Sequence, residues 1–572
     1  MIPACQQEKS GITSRDAISS CFSSCLLPDD GCGVSLSAAS SRTDTGRRSF
    51  LHVFPLAEIV QICTMYYLAD RTIPKKTNIL QLPLEIITAI CSHLPNLHLK
   101  QLRLSCRALS VAVSLRFDRV FLSAHRRDID VFLAVANHRT WRSQVTEIVY
   151  DDALLAPNGT LFEDDDMDVR DWLLHLEPED TNWEVGGIPR WFSFIHAQNE
   201  LHEQARAKPT HTQQHQTLQV GECWEYYKML LRQQRDVLRS DAIVRALRVG
   251  LKRFPLLRRV TITPASHGWM LNMPPVYPTP TIRAFPPGFN YPLPSGWLPA
   301  TSNAWFGLPD WEEGARDWLG VRIVLRTLAR KDLAGKVTDL RIEAGDLITG
   351  LNGRMFEQPC AEITHLATII ARPNFRHLHL DILSEHRQGC SWEGFWNGLL
   401  GRALADAAGG KGLEHLSLSM HGYQPVEPHE EPHEPLPREI LPASSLANLK
   451  YFRLSGFCLD MGLLLSLLSK LPSTIEDVEL SLLHFPGGSY RDLVQQIRDR
   501  LDWKTRAIKP KVILPFTAGA FETYHTDVRN FVYGDAQNPF LPDEVGEQTL
   551  RIVDMELRSI PWPTWARWLS DV

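Results

Sequence analysis

The sequence predicts an α/β chain, in which a compact unit of three short helices is followed by a long, irregular solenoid of strand–helix units. Three observations carry that prediction. Apolar residues recur at spacings of three and four over 77–122, the period of one helix face. A pattern of apolar, two variable, apolar, one variable, apolar then returns seven times between Val145 and Leu480. Helical periodicity fills several of the intervals, and a sheet that cannot bury its own face needs such a cover.

The chain has 572 residues, 44% apolar and 22% charged, a composition that buries a real core. Its net charge of -6 gives no overall positive field for nucleic acid or anionic lipid, and no long Lys/Arg block occurs. Eleven cysteines without a CxxC pair are too sparse for a disulfide scaffold, so reduced thiols are expected. Residues 1–75 are expected to be largely disordered, since 1–50 in particular are rich in Ser, Cys, Gly and Asp and show little periodicity. The N-terminus lacks a basic-then-apolar signal layout. The most apolar run, 51–69, carries His52, Glu58 and Gln61 and falls short of the roughly 20 apolar residues that span a bilayer. A buried or docked helix is favoured there over a membrane helix. The expected location is intracellular, cytoplasm or nucleus, where the Asn158-Gly159-Thr160 sequon meets no glycosylation machinery.

In the helical unit, 76–122, Ile86, Ile90 and Leu94 share one face, Pro83 fits a first turn and Pro95 ends the helix. Leu99, Leu102, Cys106 and Leu109 line a second helix, with Val113 and Phe117 extending the apolar surface. A unit this small buries too little to be very stable alone, so it packs on the next domain or on a partner.

The recurring units of 123–565 are Val145-Ile148-Tyr150, Leu257-Val260-Ile262, Val337-Leu340-Ile342, Phe375-Leu378-Leu380, Leu413-Leu416-Leu418, Leu449-Phe452-Leu454 and Ile475-Val478-Leu480. The last three residues of each unit alternate, as a half-buried strand does. Central positions 340, 378, 416, 452 and 478 lie 38, 38, 36 and 26 residues apart, comparable enough for stacked units. Helices are expected over 392–407, 461–471 and 490–501. A closed α/β domain with coincidental matches is the alternative. Two insertions interrupt the pattern. Residues 269–311 hold ten prolines, with Trp269, Tyr277, Tyr291, Trp297 and Trp305 among them and Trp311 at the edge. Proline at that density excludes helix and central strand, and the aromatics either anchor the loop or form a binding surface. Residues 424–441 are acidic and proline-rich. The acidic run 163–168 reads as solvated surface.

The segment ILQLPLEIITAICSHLPNLHLKQLRLSCRALSVAVSLRFDRVFL resembles an F-box. The resemblance rests on Leu82-Pro83, Glu85-Ile86, Ile90, Leu94, Leu99, the run Leu102 to Arg107, Leu109, and Leu115-Arg116-Phe117 before Val120 and Leu122. It covers less than a tenth of the chain. The rest is similar, more loosely, to the divergent leucine-rich-repeat-like regions of fungal F-box proteins, though no regular Asn or Cys follows each strand. The resemblance implies a non-enzymatic adaptor without a cofactor, which binds Skp1 and, through it, a cullin–RING scaffold. It implies Leu82, Pro83, Glu85, Ile86, Leu99 and Leu102 as residues that contact Skp1 or shape that surface, while Ile90, Leu94, Cys106 and Leu109 pack internally. The C-terminal domain would select an unknown protein substrate, and the strand positions between the apolar pairs, Arg341, His379, Ser417, Arg453 and Glu479, are expected to face it. Neither nucleic acid nor membrane is an expected partner.

Two apparent chemical motifs fail, one on geometry and one on spacing. His429-Glu430-Glu431-Pro432-His433 matches HExxH, but proline inside the motif and at 428 and 435 prevents the helix that would put both histidines on one face. Gly409-Gly410-Lys411-Gly412 lacks P-loop spacing and reads as a helix stop. No GxSxG or GxGxxG occurs. Two other functions stay open: a Skp1-bound scaffold without ligase function, and an enzyme or unrelated binding domain built on a polar cleft.

Overall fold

The computed structural model describes residues 79–540 except 95, 157–183, 186, 207–217, 269–274, 295–296, 298–307, 315–316, 334, 348, 385–397, 407–411, 422–440, 486–487 and 515–520. The expectations for 1–75, the run 51–69, the acidic run, the sequon, the HExxH match and nearly all of 424–441 lie outside the described residues. The chain divides after Asp118 into two compact units.

The helical unit contains α1 Leu84–Ser92, α2 Asn96–Ser105 and α3 Arg107–Ala112. Pro83 stands just before the first turn rather than in it, with φ -53° and ψ 148°, the extended ψ from which a chain enters a helix. The second helix, expected to run on through Leu109, breaks at Cys106, whose backbone is extended at φ -161° and ψ 161°. The break has a packing consequence. It lets Leu109 and Val113 join Ile87, Cys91, Leu94 and Leu99 in one buried cluster, with Leu82, Ile90, Leu102, Cys106 and Leu115 packed around it.

Arg116 closes this unit. Its guanidinium donates to the carbonyls of Ser92 and Leu94 at the end of α1. Its backbone N–H donates to Asn96 Oδ1 at 3.0 Å, and Asn96 Nδ2 donates back to its carbonyl at 2.7 Å. Removing charged donors from helix-end carbonyls costs about 1–2 kcal/mol. Arg116→Ala is therefore expected to raise hydrogen exchange across α1–α3 by about tenfold or more at that cost, with the end of α1 fraying first where Ser92 and Leu94 lose their donors, while Asn96 keeps its bonds to the backbone of residue 116; unchanged exchange would show that the clasp carries no stability.

The second unit runs β1 Arg119–Ser123, α4 Arg126–Asn137, β2 Glu147–Asp151, β3 Glu184–Val185, β4 Ile188–Pro189, α5 Arg190–Arg206, α6 Val220–Leu238, α7 Ala242–Arg253 and β5 Arg259–Thr263. It continues with α8 Trp311–Gly314, α9 Leu319–Leu328, β6 Asp339–Ile342, β7 Leu351–Asn352, α10 Ala361–Ile370, β8 His377–Leu383, α11 Leu399–Asp406, β9 His415–His421 and α12 Ala443–Leu446. Then come β10 Tyr451–Ser455, α13 Met461–Ser469, β11 Asp477–Ser481, α14 Tyr490–Arg500, β12 Lys511–Ile513 and α15 Phe521–Tyr533. Strands β1, β2, β5, β6, β8, β9, β10, β11 and β12 lie side by side in chain order, β7 pairs with β8, and β3 and β4 form a separate hairpin. Every pairing in the large sheet is parallel. Strand order never reverses, so the switch point at which doubly wound sheets bind nucleotides does not arise among the described strands.

All seven predicted triplets end on strands of this sheet, and all their apolar residues are buried. The units also repeat one backbone device. The carbonyl just before each strand accepts two N–H groups from the next: Thr146 from Arg258 and Arg259, Arg258 from Thr338 and Asp339, Thr338 from Arg376 and His377, Arg376 from Glu414 and His415, Glu414 from Lys450 and Tyr451. Helices α4, α7, α9, α10, α11 and α12 contact one another in chain order, as do α13, α14 and α15. This single layer covers the leucine side of the sheet. Asp460 caps α13 through Leu463 N at 3.0 Å, and Ser489 with Asp492 forms a capping box on α14.

The described aromatics of the 269–311 insertion anchor it. Trp297 and Tyr291 are buried, Trp297 Nε1 donates to Asp152 at 2.8 Å, and Trp311 Nε1 donates to Glu362 at 3.0 Å. Trp269 and Trp305 lie outside the described residues. The reduced-thiol expectation needs one correction: Cys91, Cys106, Cys223 and Cys360 are free, but Cys458 is disulfide-bonded. Among the described residues no helix is long and apolar enough to cross a membrane.

Candidate recognition surface

The five positions expected to face a substrate come together. Arg341, His379, Ser417, Arg453 and Glu479 stand in direct register on β6, β8, β9, β10 and β11. With strands about 4.8 Å apart the row runs roughly 19 Å. Each position is flanked by residues buried beneath the helices, so alternation turns the row to the opposite sheet face. A second row, two residues earlier, crosses all nine strands: Arg119, Glu147, Arg259, Asp339, His377, His415, Tyr451, Asp477 and Lys511. The same periodicity makes that row legible in sequence, although the apolar triplets alone do not mark it.

Most charge on this face is already compensated. Arg119 pairs with Glu147 at 2.8 Å, and Asp339 lies between Arg259 at 2.6 Å and Arg341 at 3.4 Å. Arg453 pairs with Glu479 at 3.2 Å, and Tyr451 Oη donates to the same carboxylate at 2.5 Å. Three of the five expected contacts are thus tied to neighbours, and Ser417 is only 1% exposed.

The middle of the face is rich in imidazole. His415 stacks on Tyr451 at 4.1 Å, and His377 lies 5.7 Å from His415. Burial, with His377 and Arg341 nearby, pushes His415 down to about 4; burial lowers His377 as well. His379 Nδ1 meets Ser417 Oγ at 2.8 Å, and its Nε2 lies 3.1 Å from Asp381. Burial alone would raise the Asp381 carboxyl, but the imidazoles of His379 and His421 beside it, at 3.1 and 3.9 Å, outweigh burial and hold it well below the carboxylate range. Asp381, His379 and Ser417 have the connectivity of a serine nucleophile's proton relay. Access is the difference: with Ser417 sealed between strands, the imidazole acts as a clasp joining β8 to β9. His377 Nδ1 and Ser419 Oγ are buried without a hydrogen-bond partner among the described residues. A surface of imidazoles, hydroxyls and compensated charge suits a polypeptide read by hydrogen bonds and shape.

A second polar grouping sits at the carboxyl ends of β1, β2 and β5, under the insertion. Asp128 accepts from Ser123 Oγ at 2.6 Å and Thr281 N at 2.8 Å. Asp152 accepts from Trp297 and from Gly320 N at 2.9 Å, and His267 Nδ1 meets Tyr291 Oη at 2.9 Å. Burial pushes Asp152 up to about 7 and His125 down to about 4. These residues come from four separated segments, so no spacing in the sequence announces them. Among the described residues no group of three His, Cys, Asp or Glu could hold a metal ion.

In the helical unit Pro83 and Glu85 are exposed, Leu82, Ile86 and Leu102 half-buried, and Leu99 fully buried. Leu99 therefore shapes the unit from within. The large apolar side chains most open to solvent are others: Leu84 at 56%, Leu104 at 82% and Val111 at 86% exposed, with Leu80 at 45%. Sequence reasoning places Leu84 in a variable slot, takes Leu104 only as part of the run Leu102 to Arg107, and passes over Val111. No protein-family model matches the sequence, and no curated protein matches it.

Proposed function

We propose that the chain is the substrate-recognition adaptor of a Skp1–cullin–F-box ubiquitin ligase, its helical unit docking Skp1 and its sheet unit selecting a protein substrate. The observation that carries this reading is the pairing of a closed core around Leu99 with Leu84, Leu104 and Val111 left in solvent. A small helical unit that leaves large apolar side chains exposed is built to be covered by a partner face. The F-box resemblance names that partner as Skp1, with Leu82, Pro83, Glu85, Ile86 and Leu102 around the contact and Leu99 beneath it. The sheet unit supports the second half of the reading: nine strands in chain order and one helix layer are what a leucine-rich-repeat-like solenoid requires, and the face opposite that layer carries the Arg341-to-Glu479 row. An intracellular location accompanies this function.

The test is co-purification of the full chain with Skp1 and a cullin, beside Leu104→Asp/Val111→Asp. Both side chains are so exposed that the double variant is expected to fold as the wild type does. Loss of a central apolar contact costs about 2 kcal/mol or more, roughly thirtyfold in affinity. Capture of both partners, lost in the variant, is the expected result. Skp1 without cullin would favour a scaffold, and a folded chain that captures neither would end the reading.

A further inference from the structure

A groove of about 610 Å³ lies on the helix layer, between α7, α9 and α10. Arg245 and Arg248 enter it from α7, Arg326 from α9, and Arg330 from just beyond α9. All four are exposed. Arg330 is engaged by Asp332 at 3.2 Å. Arg245, Arg248 and Arg326 make no ion pair or hydrogen bond through their side chains among the described residues. Several arginines elsewhere on this unit are matched, as Arg259, Arg322 and Arg453 are. Three unmatched guanidiniums around one concavity, two of them a turn apart on one helix, repel one another. That repulsion is relieved by an anion, and the chain as a whole carries net charge -6, so the patch is local and against the trend.

We propose that this groove binds a phosphorylated side chain of a partner protein's peptide segment. Planar guanidiniums from two helices give forked donors that match phosphate oxygens bidentately. The groove is far larger than one phosphate, and Val244, Ile323 and Ala329, with Thr327, His365 and Thr368, line the rest of it beside Asp241, which gives room for the residues on either side of the modified one. Two features disfavour a nucleic acid. Asp241 lines the groove and would repel a continuing phosphate backbone. No Phe, Tyr or Trp among the described residues lines it for bases to stack on. A concave site without exposed large apolar side chains also suits a bilayer surface poorly. The groove lies on the helix layer rather than the sheet face, so its test stands apart from Skp1 capture.

The experiment measures anisotropy of fluorescein-labelled degenerate peptides centred on phosphoserine or phosphothreonine, against the same pools unphosphorylated, on the full chain. The phosphorylated pools are expected to bind about tenfold tighter or more. Arg248→Glu/Arg326→Glu should erase the difference while its melting temperature stays that of the wild type, and inorganic phosphate should compete. Arg500→Glu, on α14, should leave it intact. Equal binding of the two pools, or a difference that survives the double charge reversal, would overturn the proposal. So would tighter binding, through the same arginines, of a thymidine oligonucleotide or of phosphatidylcholine vesicles containing a phosphoinositide.

Discussion

Leu99→Ala is expected to unfold the helical unit of the full chain while the sheet unit keeps its protection. Leu99 is 0% exposed and is one of six residues in the buried cluster, with Ile87, Cys91, Leu94, Leu109 and Val113. Truncating a buried leucine costs about 2–5 kcal/mol, through lost burial and the cavity left behind. A core this small rarely supplies more than about 3–5 kcal/mol in total, so the substitution removes most or all of it. Leu104→Ala is the control: at 82% exposed it should change stability by no more than about 0.5 kcal/mol. Hydrogen exchange read by mass spectrometry separates the two. Amides of α1–α3 should lose protection in Leu99→Ala and keep it in Leu104→Ala. Retained protection in Leu99→Ala would mean that the unit draws its stability from something other than this cluster. Skp1 capture lost in Leu99→Ala therefore reports folding, whereas capture lost in Leu104→Asp/Val111→Asp reports contact.

The features legible in the sequence are the local ones. Each triplet from Val145-Ile148-Tyr150 to Ile475-Val478-Leu480 became a strand entry because alternation is a property of a few neighbouring residues, and the row Arg341 to Glu479 comes from the same period. The break at Cys106 was not legible. Its cause is the need of Leu109 and Val113 to reach Leu94 and Leu99, a tertiary demand that overrides local helical spacing. Nor was the state of the outward row: Arg341 is neutralised by Asp339 two residues back on its own strand, and Arg453 by Glu479 on the neighbouring strand, a partner that only register reveals. The arginine groove joins 245 and 248 to 326 and 330 across the long insertion. Helical spacing finds each pair, and only the packing of α7 beside α9 brings them together.

The cluster beneath the insertion should give opposite pH responses in two single variants. Burial holds His125 at about 4, and both its ring nitrogens lack a hydrogen-bond partner among the described residues. An unfolded histidine titrates near 6.5. As pH falls from about 6.5 towards 4, the unfolded chain gains a proton that the folded chain refuses, and stability drops by up to about 3 kcal/mol. Asp152 behaves in the contrary sense. Burial raises it to about 7 despite the bonds from Trp297 and Gly320, whereas an unfolded aspartate titrates near 3.9. Between those values the folded chain holds a proton that the unfolded chain has lost, so stability falls as pH rises from about 4 to 7, by up to roughly 4 kcal/mol. In the wild type the two slopes offset each other. His125→Phe removes the first and should gain on the wild type as pH falls; Asp152→Asn removes the second and should gain as pH rises. Urea unfolding of the full chain from pH 4 to 7.5, followed by tryptophan fluorescence, measures both differences. Curves that run parallel to the wild type in either variant would show that the group concerned has the same proton affinity folded and unfolded, and that the insertion is held down by packing alone.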